Sequence, residues 1–375
     1  MCSGLSAARS TLVNVTSTRL VSLDAFRGLT IAAMVLVNNP GTWTAVYAPL
    51  RHAAWHGLTP TDVVFPFFLF IVGVAIPPSL AGRPRLTALR RVLRRAVLIF
   101  ALGLLLNAIV GFDWSTIRIP GVLQRIAVCY LIAAILFLTA SWRVQAAAAV
   151  ALLLGYWAAM TLVPVPGAGA GDLGPEGNLA AWVDRQVLGP HLWRAAPVYD
   201  PEGILSTVPA VATVLFGVLA GQWLQIPRTP RTKVTGLVLA GALGVALGAE
   251  WNNWFPLNKA LWTSSYAVLT AGLALLVFAA CYWAVEICGW RRWATPFVVF
   301  GVNALALYFL STLVAVWLTR VRVDGGGPLQ KLVFERGFAA WLSPVNASLA
   351  YALAYVVVWW AAMWLLYRAG IRLRA

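Results

Sequence analysis

Ten long apolar runs, each about as long as a bilayer is thick, constrain the fold of this chain more than any other feature. They cover residues 23–39, 61–80, 96–111, 121–140, 146–163, 205–224, 234–250, 263–285, 297–318 and 347–367. A helix of about 20 apolar residues crosses the hydrocarbon core, whereas a barrel strand is about half as long. Lipid offers no hydrogen-bond partners, so such runs must be helices. The sequence therefore predicts an all-α fold, a polytopic transmembrane helix bundle of about 10 helices.

The composition supports a membrane protein and excludes a nucleic-acid-binding one. The chain is 61% hydrophobic and 11% charged, whereas soluble domains are roughly 45–50% apolar and about 25% charged. A net charge of +16 would suit a nucleic-acid partner. However, the basic residues lie in short clusters between the apolar runs, where they determine membrane topology. We therefore expect the lipid bilayer, and no nucleic acid, as a partner.

The distribution of Lys and Arg predicts the orientation. If the N-terminus lies inside, the inner segments carry nearly twice as many basic residues as the outer ones. Such an excess marks the cytoplasmic side of a membrane protein, so we expect both termini to be cytoplasmic. The predicted organisation is a cytoplasmic tail at 1–22, one transmembrane domain at 23–367 with outer loops at 164–204 and 319–346, and a cytoplasmic tail at 368–375.

The first span contains charged residues, which are costly in a bilayer and therefore indicate function. It begins SLDAFRGL, where Asp24 and Arg27 are three residues apart and can share a helix face. Asn38 lies on the same face as Arg27, about three turns further along. This face offers charge at its inner end and an amide at its outer end. An ion pair between Asp24 and Arg27 that only caps the helix explains the two charges equally well.

Two of the three histidines follow in a short outer loop. His52 and His56 are four residues apart, a spacing that also suits two metal ligands on a helix. Asp62 is the nearest candidate for a third ligand, but its position at the start of the second span fits a helix-capping role. We therefore predict no metal site. A histidine here is interpreted either as a general base or nucleophile near neutral pH, or as an interfacial residue among aromatic neighbours.

Further polar residues lie at membrane depth in the later spans. Gln124 and Arg125 fall about one turn inside span four, and Arg125 needs an acidic side chain or an anionic ligand. Asp200 and Glu202, just before span six, are candidates on the same side. Asn303 is a lone polar residue in span nine, where helix–helix hydrogen bonding is its simplest role. A polar stretch also joins spans seven and eight, where only cavity-lining or protein-buried residues are tolerated. It contains Asn258, Lys259, Trp262, Ser265 and Tyr266.

Six stretches of the chain, taken in order, match a known pattern. They read SLDAFRGLTIAAMVLVNNPG, RHAAWHGLTPTDVVFPFFLFIVG, RIPGVLQRIAVCY, YDPEGILSTVPAVATVLFGVLAG, NKALWTSSYAVLT and FGVNALALYF. Together they resemble the heparan-α-glucosaminide N-acetyltransferase family of transmembrane acyltransferases. The resemblance implies that cytosolic acetyl-CoA gives its acetyl group to the amine of a glucosamine on the far side of the membrane. It also implies that His52 is the active-site histidine and Asn38 the functional asparagine.

The other polar residues are assigned to the two substrates that the resemblance implies. His52 is expected to act as a base or to carry the acetyl group itself, and Asn38 to stabilise the oxyanion or orient the imidazole. For the aminosugar acceptor we expect Asp200, Glu202, Arg125, Gln124, Asn258 and Lys259. For acetyl-CoA we expect Arg27, Asp24, Trp262, Ser265, Tyr266 and Asn303.

Two other functions fit the same features. A secondary transporter for sugars or aminosugars would also use about ten helices with buried charges, although the chain shows no inverted repeat. An O-acyltransferase for an envelope glycan would use the same machinery with a hydroxyl acceptor. The sequence has no counterpart to the long N-terminal domain of the lysosomal family members. We therefore expect a multi-pass protein of a bacterial inner membrane and a small aminosugar as acceptor, with a homodimer as a candidate assembly.

Overall fold

The computed structural model describes residues 20–111, 113–322 and 327–373. Most of the predicted N-terminal tail and the last two residues of the predicted C-terminal tail lie outside these ranges. Helices α1 to α13 cover Val21–Asn38, Val64–Leu80, Arg85–Val110, Val122–Thr139, Trp142–Leu162, Leu179–Leu188, Thr207–Gln225, Pro230–Trp251, Ser264–Tyr282, Thr295–Val302, Ala304–Arg320, Leu329–Phe334 and Pro344–Arg368, in that order.

The predicted fold class is confirmed. Among the described residues, nine helices are long and apolar enough to cross a membrane, and the bent pair α10 and α11 can form a tenth span. The part of the chain that the structure describes contains no β-strand longer than an isolated bridge. The predicted apolar runs and the observed helices agree closely at most ends, because a run of bilayer length has no alternative to a helix.

Helix α3 begins well before the apolar run that predicted it. The run starts at residue 96, whereas the helix starts at Arg85 and includes the exposed residues Arg90, Arg91 and Arg94. Arg and Leu are good helix formers, so the basic segment continues the helix beyond the hydrocarbon core. The long arginine side chains can keep their charged ends in the polar interface. The helix is therefore longer than the segment that spans the membrane.

The predicted single span at 297–318 is broken at Asn303. The axis of helix α11 is bent by 79° relative to the axis of helix α10 at this point. The Asn303 carboxamide accepts a hydrogen bond from the Leu373 backbone N–H at 2.8 Å and donates one to the Ile371 carbonyl at 3.2 Å. Broken backbone is tolerated at this depth because it lies within protein. Asn303 therefore anchors the segment that follows α13.

Glycines allow the central helices to approach closely. A Cβ at Gly73 of α2 would lie 2.1 Å from the Val214 carbonyl oxygen of α7, and one at Gly217 of α7 would lie 2.1 Å from the Phe70 carbonyl oxygen. Small residues at such crossings let transmembrane backbones touch. Gly28 of α1 packs equally tightly on the backbone of α10. These crossings fix how α2 lies against α7 and how α1 lies against α10.

The first predicted outer loop has a regular, packed structure. It contains α6, whose start is capped by the Asn178 side chain accepting from the Ala181 backbone N–H at 2.8 Å. Leu179 and Ala180 are buried in an apolar cluster with Tyr156 and neighbouring residues. The loop therefore covers one end of the bundle. This end, which also carries His52, is called the outer end below, after the predicted orientation.

The orientation itself stays a prediction that reporter fusions can test. A reporter active only outside the cytoplasm should be active when fused after Gly171 and inactive when fused after Ala375. The expectation follows from the excess of Lys and Arg on the segments assigned to the inner side. Equal activity of the two fusions would show that the loop and the C-terminus share a compartment, and the predicted orientation would be wrong.

Candidate active site

A cavity of about 410 Å³ opens at the outer end of the bundle. Its walls come from the end of α1, the loops before α2, α4 and α7, and the segment between α8 and α9. The polar and aromatic residues that line it are Asn38, His52, Trp55, Thr61, Asp62, Phe65, Arg118, Trp193, Tyr199, Glu202 and Lys259. Five stretches that are far apart in the sequence thus meet around one polar space, as expected of a binding site.

His52 and Asp62 form the best-defined contact in this cavity. The Asp62 Oδ1 atom lies 2.6 Å from His52 Nδ1. Asp62 is buried, with a side-chain exposure of 1%, whereas the His52 side chain is 43% exposed. An ionised carboxylate can only accept, so Nδ1 carries the proton and donates it. The lone pair of the imidazole is therefore on Nε2, which makes Nε2 the basic atom.

The other oxygen of Asp62 is held by the start of the second span. Oδ2 accepts hydrogen bonds from the backbone N–H groups of Ala53 and Thr59 at 3.0 and 3.1 Å, and from the Thr59 hydroxyl at 2.9 Å. The capping role predicted for Asp62 is thus confirmed, but sequence reasoning missed its bond to His52. The Tyr266 hydroxyl also donates to the Asp62 carbonyl at 2.6 Å. These bonds hold the carboxylate in one orientation.

Lys259 approaches the same pair from the segment between α8 and α9. Its Nζ atom lies 3.0 Å from His52 Nδ1, 3.4 Å from His52 Nε2 and 3.6 Å from Asp62 Oδ1. The turn that presents it is fixed by Asn258, whose Oδ1 accepts from the Leu261 backbone N–H at 2.9 Å. Trp262 ends this turn with a φ of 51°, an uncommon conformation for a bulky residue. Burial lowers the pKa of the Lys259 ammonium, against the attraction of Asp62 and Glu202.

Arg118, Asp200 and Glu202 form a second charged cluster. Arg118 binds Asp200 through two nitrogens, at 2.9 and 2.5 Å, and Glu202 at 2.5 Å. Burial opposes the charge of Arg118, but the two carboxylates outweigh it and raise the pKa of the guanidinium above its usual range. The cluster carries one positive and two negative charges, so it leaves an excess negative charge at the cavity wall. Glu202 lines the cavity, whereas the Asp200 side chain is fully buried behind it.

Asp200 and Glu202, the partners suggested for Arg125, do not bind it. Asp200 and Glu202 bind Arg118 instead, because Arg118 lies in the outer loop whereas Arg125 lies inside α4. The Arg125 Nη2 atom donates to the Ser206 hydroxyl at 2.5 Å and to the Gly203 carbonyl at 3.3 Å. Arg125 and its neighbour Gln124 are buried and are not among the residues that line the cavity.

Trp262, Ser265 and Tyr266, predicted at the acetyl-CoA site, lie buried under the outer cavity. Trp262 donates its indole N–H to the Thr213 hydroxyl at 3.1 Å, and Ser265 donates its hydroxyl to the Phe255 carbonyl at 2.5 Å. Their side chains are fully buried, and they are not cavity-lining residues. They support the turn that carries Lys259.

The other residues predicted for acetyl-CoA gather at the opposite end of the bundle. Arg27 Nη1 lies 3.2 Å from Asp24 Oδ1 and 3.5 Å from the Gly301 carbonyl of α10. Asn303, two residues after Gly301, binds the C-terminal segment as described above. The predicted acetyl-CoA set is therefore divided between the two ends of the bundle.

Asn38 is placed as the sequence predicted, at the outer end of α1 and on the wall of the cavity. Its side-chain amide is exposed and makes no hydrogen bond to the described residues, so it can bind a ligand. His56 is not among the cavity-lining residues, and its Nδ1 atom lies 3.4 Å from Asn258 Nδ2. Burial lowers the pKa of His56. Within the described ranges, no group of three or more His, Cys, Asp or Glu side chains could hold a metal ion.

Sequence reasoning did not assign Arg118, Trp193 or Tyr199 to the site. Arg118 begins one of the stretches that carried the resemblance, and this was the available signal for it. The Arg118 guanidinium lies over the Trp193 ring, 5.5 Å from its centre. Tyr199 packs edge-on against Trp55 at 5.0 Å, and burial raises the pKa of its phenol. Tyr199 therefore remains a hydrogen-bond donor at neutral pH.

Comparison with known proteins gives one consistent result. Residues 19–238 match the family described as heparan-alpha-glucosaminide N-acetyltransferase, catalytic. The chain is similar to the heparan-alpha-glucosaminide N-acetyltransferases of Homo sapiens, at 32% identity over 353 residues, and of Mus musculus, at 30% over 352 residues. Each comparison covers 77% of this chain but only 52% and 53% of the relatives. The chain thus spans about half the length of these relatives. The family match includes His52 and Asp62 and ends before Lys259.

Proposed function

This chain belongs to the heparan-alpha-glucosaminide N-acetyltransferase family, and from that premise we propose that it transfers an acetyl group from acetyl-CoA to the amine of a glucosamine-type aminosugar. The observation that carries the proposal is the buried Asp62 carboxylate bound to His52 in a cavity shared with Asn38. A base fixed in one tautomer beside an available amide is the equipment that acyl transfer to an amine requires.

His52 can serve as a general base in direct transfer. The acceptor ammonium first loses one proton to solvent. The resulting amine attacks the thioester carbonyl carbon, and Nε2 of His52 takes the second proton that the nitrogen loses. A carbon–nitrogen bond forms and the carbon–sulfur bond breaks. The proton then passes from Nε2 to the leaving thiolate, so that the products are an acetamide and free CoA. Asp62 stabilises the transient imidazolium through its 2.6 Å contact with Nδ1.

His52 can also carry the acetyl group. In this version Nε2 attacks the thioester and the CoA thiolate leaves. The amine then attacks the acetyl-imidazole: the new carbon–nitrogen bond forms as the bond to Nε2 breaks. Nε2 takes the proton that the amine loses and releases it to the CoA thiolate or to solvent, which returns it to its free state. The same orientation of the ring serves both versions, because each needs the Nε2 lone pair directed toward the substrate.

Asn38 and the charged cluster supply the remaining functions. The exposed amide of Asn38 can donate to the oxyanion that develops on the thioester oxygen. The excess negative charge of the Arg118, Asp200 and Glu202 cluster favours an acceptor that arrives as an ammonium ion. Glu202 is the carboxylate of this cluster that reaches the cavity. Asp200 instead orients Arg118 and accepts the Trp193 backbone N–H at 3.1 Å.

In this mechanism the acceptor binds outside and the nucleotide part of CoA binds inside, so that only the thioester arm has to reach His52. The excess of basic residues on the inner segments supports this orientation. The same residues could attract the phosphates of CoA, and Arg27 is the predicted donor-site residue that lies at the inner end. A multi-pass protein of a bacterial inner membrane, a small aminosugar and a homodimer remain the expected location, acceptor and assembly.

The decisive experiment uses purified protein in detergent or nanodiscs with acetyl-CoA and a panel of aminosugars. Acetamide products identified by mass, together with release of the CoA thiol that depends on the aminosugar, would support the proposal. Thiol release that depends on a hydroxyl acceptor would indicate an O-acyltransferase. Uptake of sugar into vesicles without thiol release would indicate a transporter, and would overturn the proposal.

Glu202→Gln should raise the KM for the aminosugar by about tenfold and change the KM for acetyl-CoA much less. The substitution removes the cavity-facing negative charge that favours an ammonium ion, and nearby opposite charges commonly contribute on the order of 1 kcal/mol or more at partly buried sites. Steady-state kinetics with each substrate varied in turn would measure both constants.

Glu176→Gln is the matched control, because Glu176 is an exposed carboxylate of the same outer loop and does not line the cavity. It should leave both constants unchanged. If Glu202→Gln raised mainly the KM for acetyl-CoA, the cluster would have to be assigned to the donor instead of the acceptor.

A further inference from the structure

His52 lies between two charges of opposite sign. Asp62 contacts Nδ1 at 2.6 Å, and the Lys259 ammonium lies 3.0 Å from Nδ1 and 3.4 Å from Nε2. A carboxylate at this distance favours the protonated, cationic form of an imidazole, whereas an ammonium disfavours it. The two neighbours therefore act on the His52 charge in opposite directions.

The position of Lys259 shows which interaction it can make with the ring. An ammonium that bonded a ring nitrogen in the plane would lie close to one nitrogen and much further from the other. Lys259 Nζ is instead almost equidistant from both, so it lies over the ring face. The Nδ1 proton is already directed to Asp62, which leaves no lone pair on Nδ1 for Lys259. Lys259 therefore acts on His52 through its charge and leaves the Nε2 lone pair open.

We propose that Lys259 is a positioning residue that keeps the His52 ring uncharged, while Asp62 fixes its tautomer. The inference rests on the proposed function, since an uncharged Nε2 is what a base or an acetyl carrier needs. Asp62 alone would orient the ring but would also stabilise the imidazolium, which has no lone pair to offer. Lys259 offsets that attraction without displacing the Asp62 contact.

The other charged and titratable groups near His52 leave this balance in place. Across the cavity, Arg118 is bound to Glu202 and Asp200, and the cluster contributes one excess negative charge. Tyr199 faces the same space as a neutral phenol, because burial raises its pKa. His56, in the same loop, is not a lining residue. Lys259 is therefore the cation that directly contacts the His52 ring among the described residues.

The charge of His52 can be measured without any enzyme assay. The chain has three histidines, so nitrogen-15 spectra of histidine-labelled protein in nanodiscs contain few ring signals. The variants His56→Gln and His191→Gln would assign them, because each variant loses the two ring signals of one histidine. The pH midpoint at which the His52 ring gains its second proton would then be read for the wild type, for Lys259→Met and for Lys259→Arg.

Lys259→Met should raise this midpoint by about one pH unit or more, the usual effect of a charge within a few ångströms. Lys259→Arg should keep it near the wild-type value, because the positive charge is retained. Lys331→Met is the matched control: Lys331 pairs with Glu335 at the surface, and its removal should leave the midpoint unchanged. If acetyl transfer is found, the acid limb of its kcat/KM profile should move by the same amount in Lys259→Met.

Three results would overturn the proposal. One is a midpoint that Lys259→Met does not move, and another is an equal rise in Lys259→Arg. The third result needs no variant. If the midpoint of the wild-type ring lay more than about one unit above that of free histidine (about 6.5), the charge of Lys259 would not offset that of Asp62. These spectra use the resting protein, so the absence of acetyltransferase activity would refute the proposed function and leave this inference to be judged separately.

Discussion

His52→Ala should lower kcat for acetyl transfer by at least about a hundredfold. General bases typically contribute a factor of 10² to 10⁴, and the loss is expected whether Nε2 takes a proton or carries the acetyl group. The protein should still insert into the membrane, because His52 lies in an exposed loop and its side-chain contacts among the described residues are with Asp62 and Lys259, at the outer end of the bundle. Turnover by purified protein, matched for amount and elution profile, is the measurement.

His56→Ala is the matched control for this experiment. His56 is four residues away, lies outside the cavity lining and contacts Asn258 at 3.4 Å. Its removal should change kcat by no more than a few fold. Near-normal turnover of His52→Ala with loss in His56→Ala would mean that the wrong histidine has been assigned. Normal turnover of both variants would exclude a histidine-based mechanism.

Incubation with radiolabelled acetyl-CoA in the absence of acceptor separates the two mechanisms. Label that stays on the wild-type protein and is lost in His52→Ala would identify His52 as a covalent carrier. A lack of label on both proteins would favour direct transfer with His52 as the base.

Asp62→Asn should also lower kcat by about a hundredfold or more. The asparagine can donate to Nδ1 through its amide, which would move the imidazole proton to Nε2 and remove the basic lone pair from the reacting side. The asparagine side chain also carries no negative charge that could stabilise the imidazolium. The effect should appear in kcat, since the residue is buried and acts on the substrate through His52.

Thr59→Val separates this effect from helix capping. It removes the hydroxyl that donates to Asp62 Oδ2 at 2.9 Å but leaves the Oδ1 contact with His52 intact. We expect it to lower thermal stability, because a lost cap costs on the order of 1 kcal/mol, and to change kcat by a few fold at most. An equal loss of activity in Thr59→Val and Asp62→Asn would show that Asp62 acts through the capped turn instead of through His52.

The membrane architecture could be read from the sequence because it follows from local properties. Length and apolarity decide whether a segment crosses a bilayer, and the ten predicted runs correspond to the nine spanning helices and the bent pair among the described residues. Where the bounds of a predicted run and of the observed helix differ, the cause is not the hydropathy of the segment. Arg85 lies in a helix that extends beyond the hydrocarbon core, and Asn303 breaks a span by binding the segment after α13.

The site could be predicted only in part. The residues themselves placed Asn38 at the outer end of the first span and left His52 as either a base or an interfacial residue, while the resemblance gave both a role. The bond from Asp62 to His52 was missed, because a carboxylate at a helix start already has a sufficient local explanation. Asp200 binds Arg118 and not Arg125, the arginine suggested from the sequence, because the folded loops bring Arg118 within its reach.

What the sequence by itself determined was the set of spanning helices and the residue types available at each end. The tertiary structure alone decided that His52, Asp62 and Lys259 meet, although Lys259 comes from the distant segment between α8 and α9. That meeting follows from contacts between distant segments, such as the crossing of α2 and α7 at Gly73 and Gly217 and the bond from the Tyr266 hydroxyl of α9 to the Asp62 backbone carbonyl. The free energy of such a crossing belongs to two segments at once, so no local pattern in either segment can specify it.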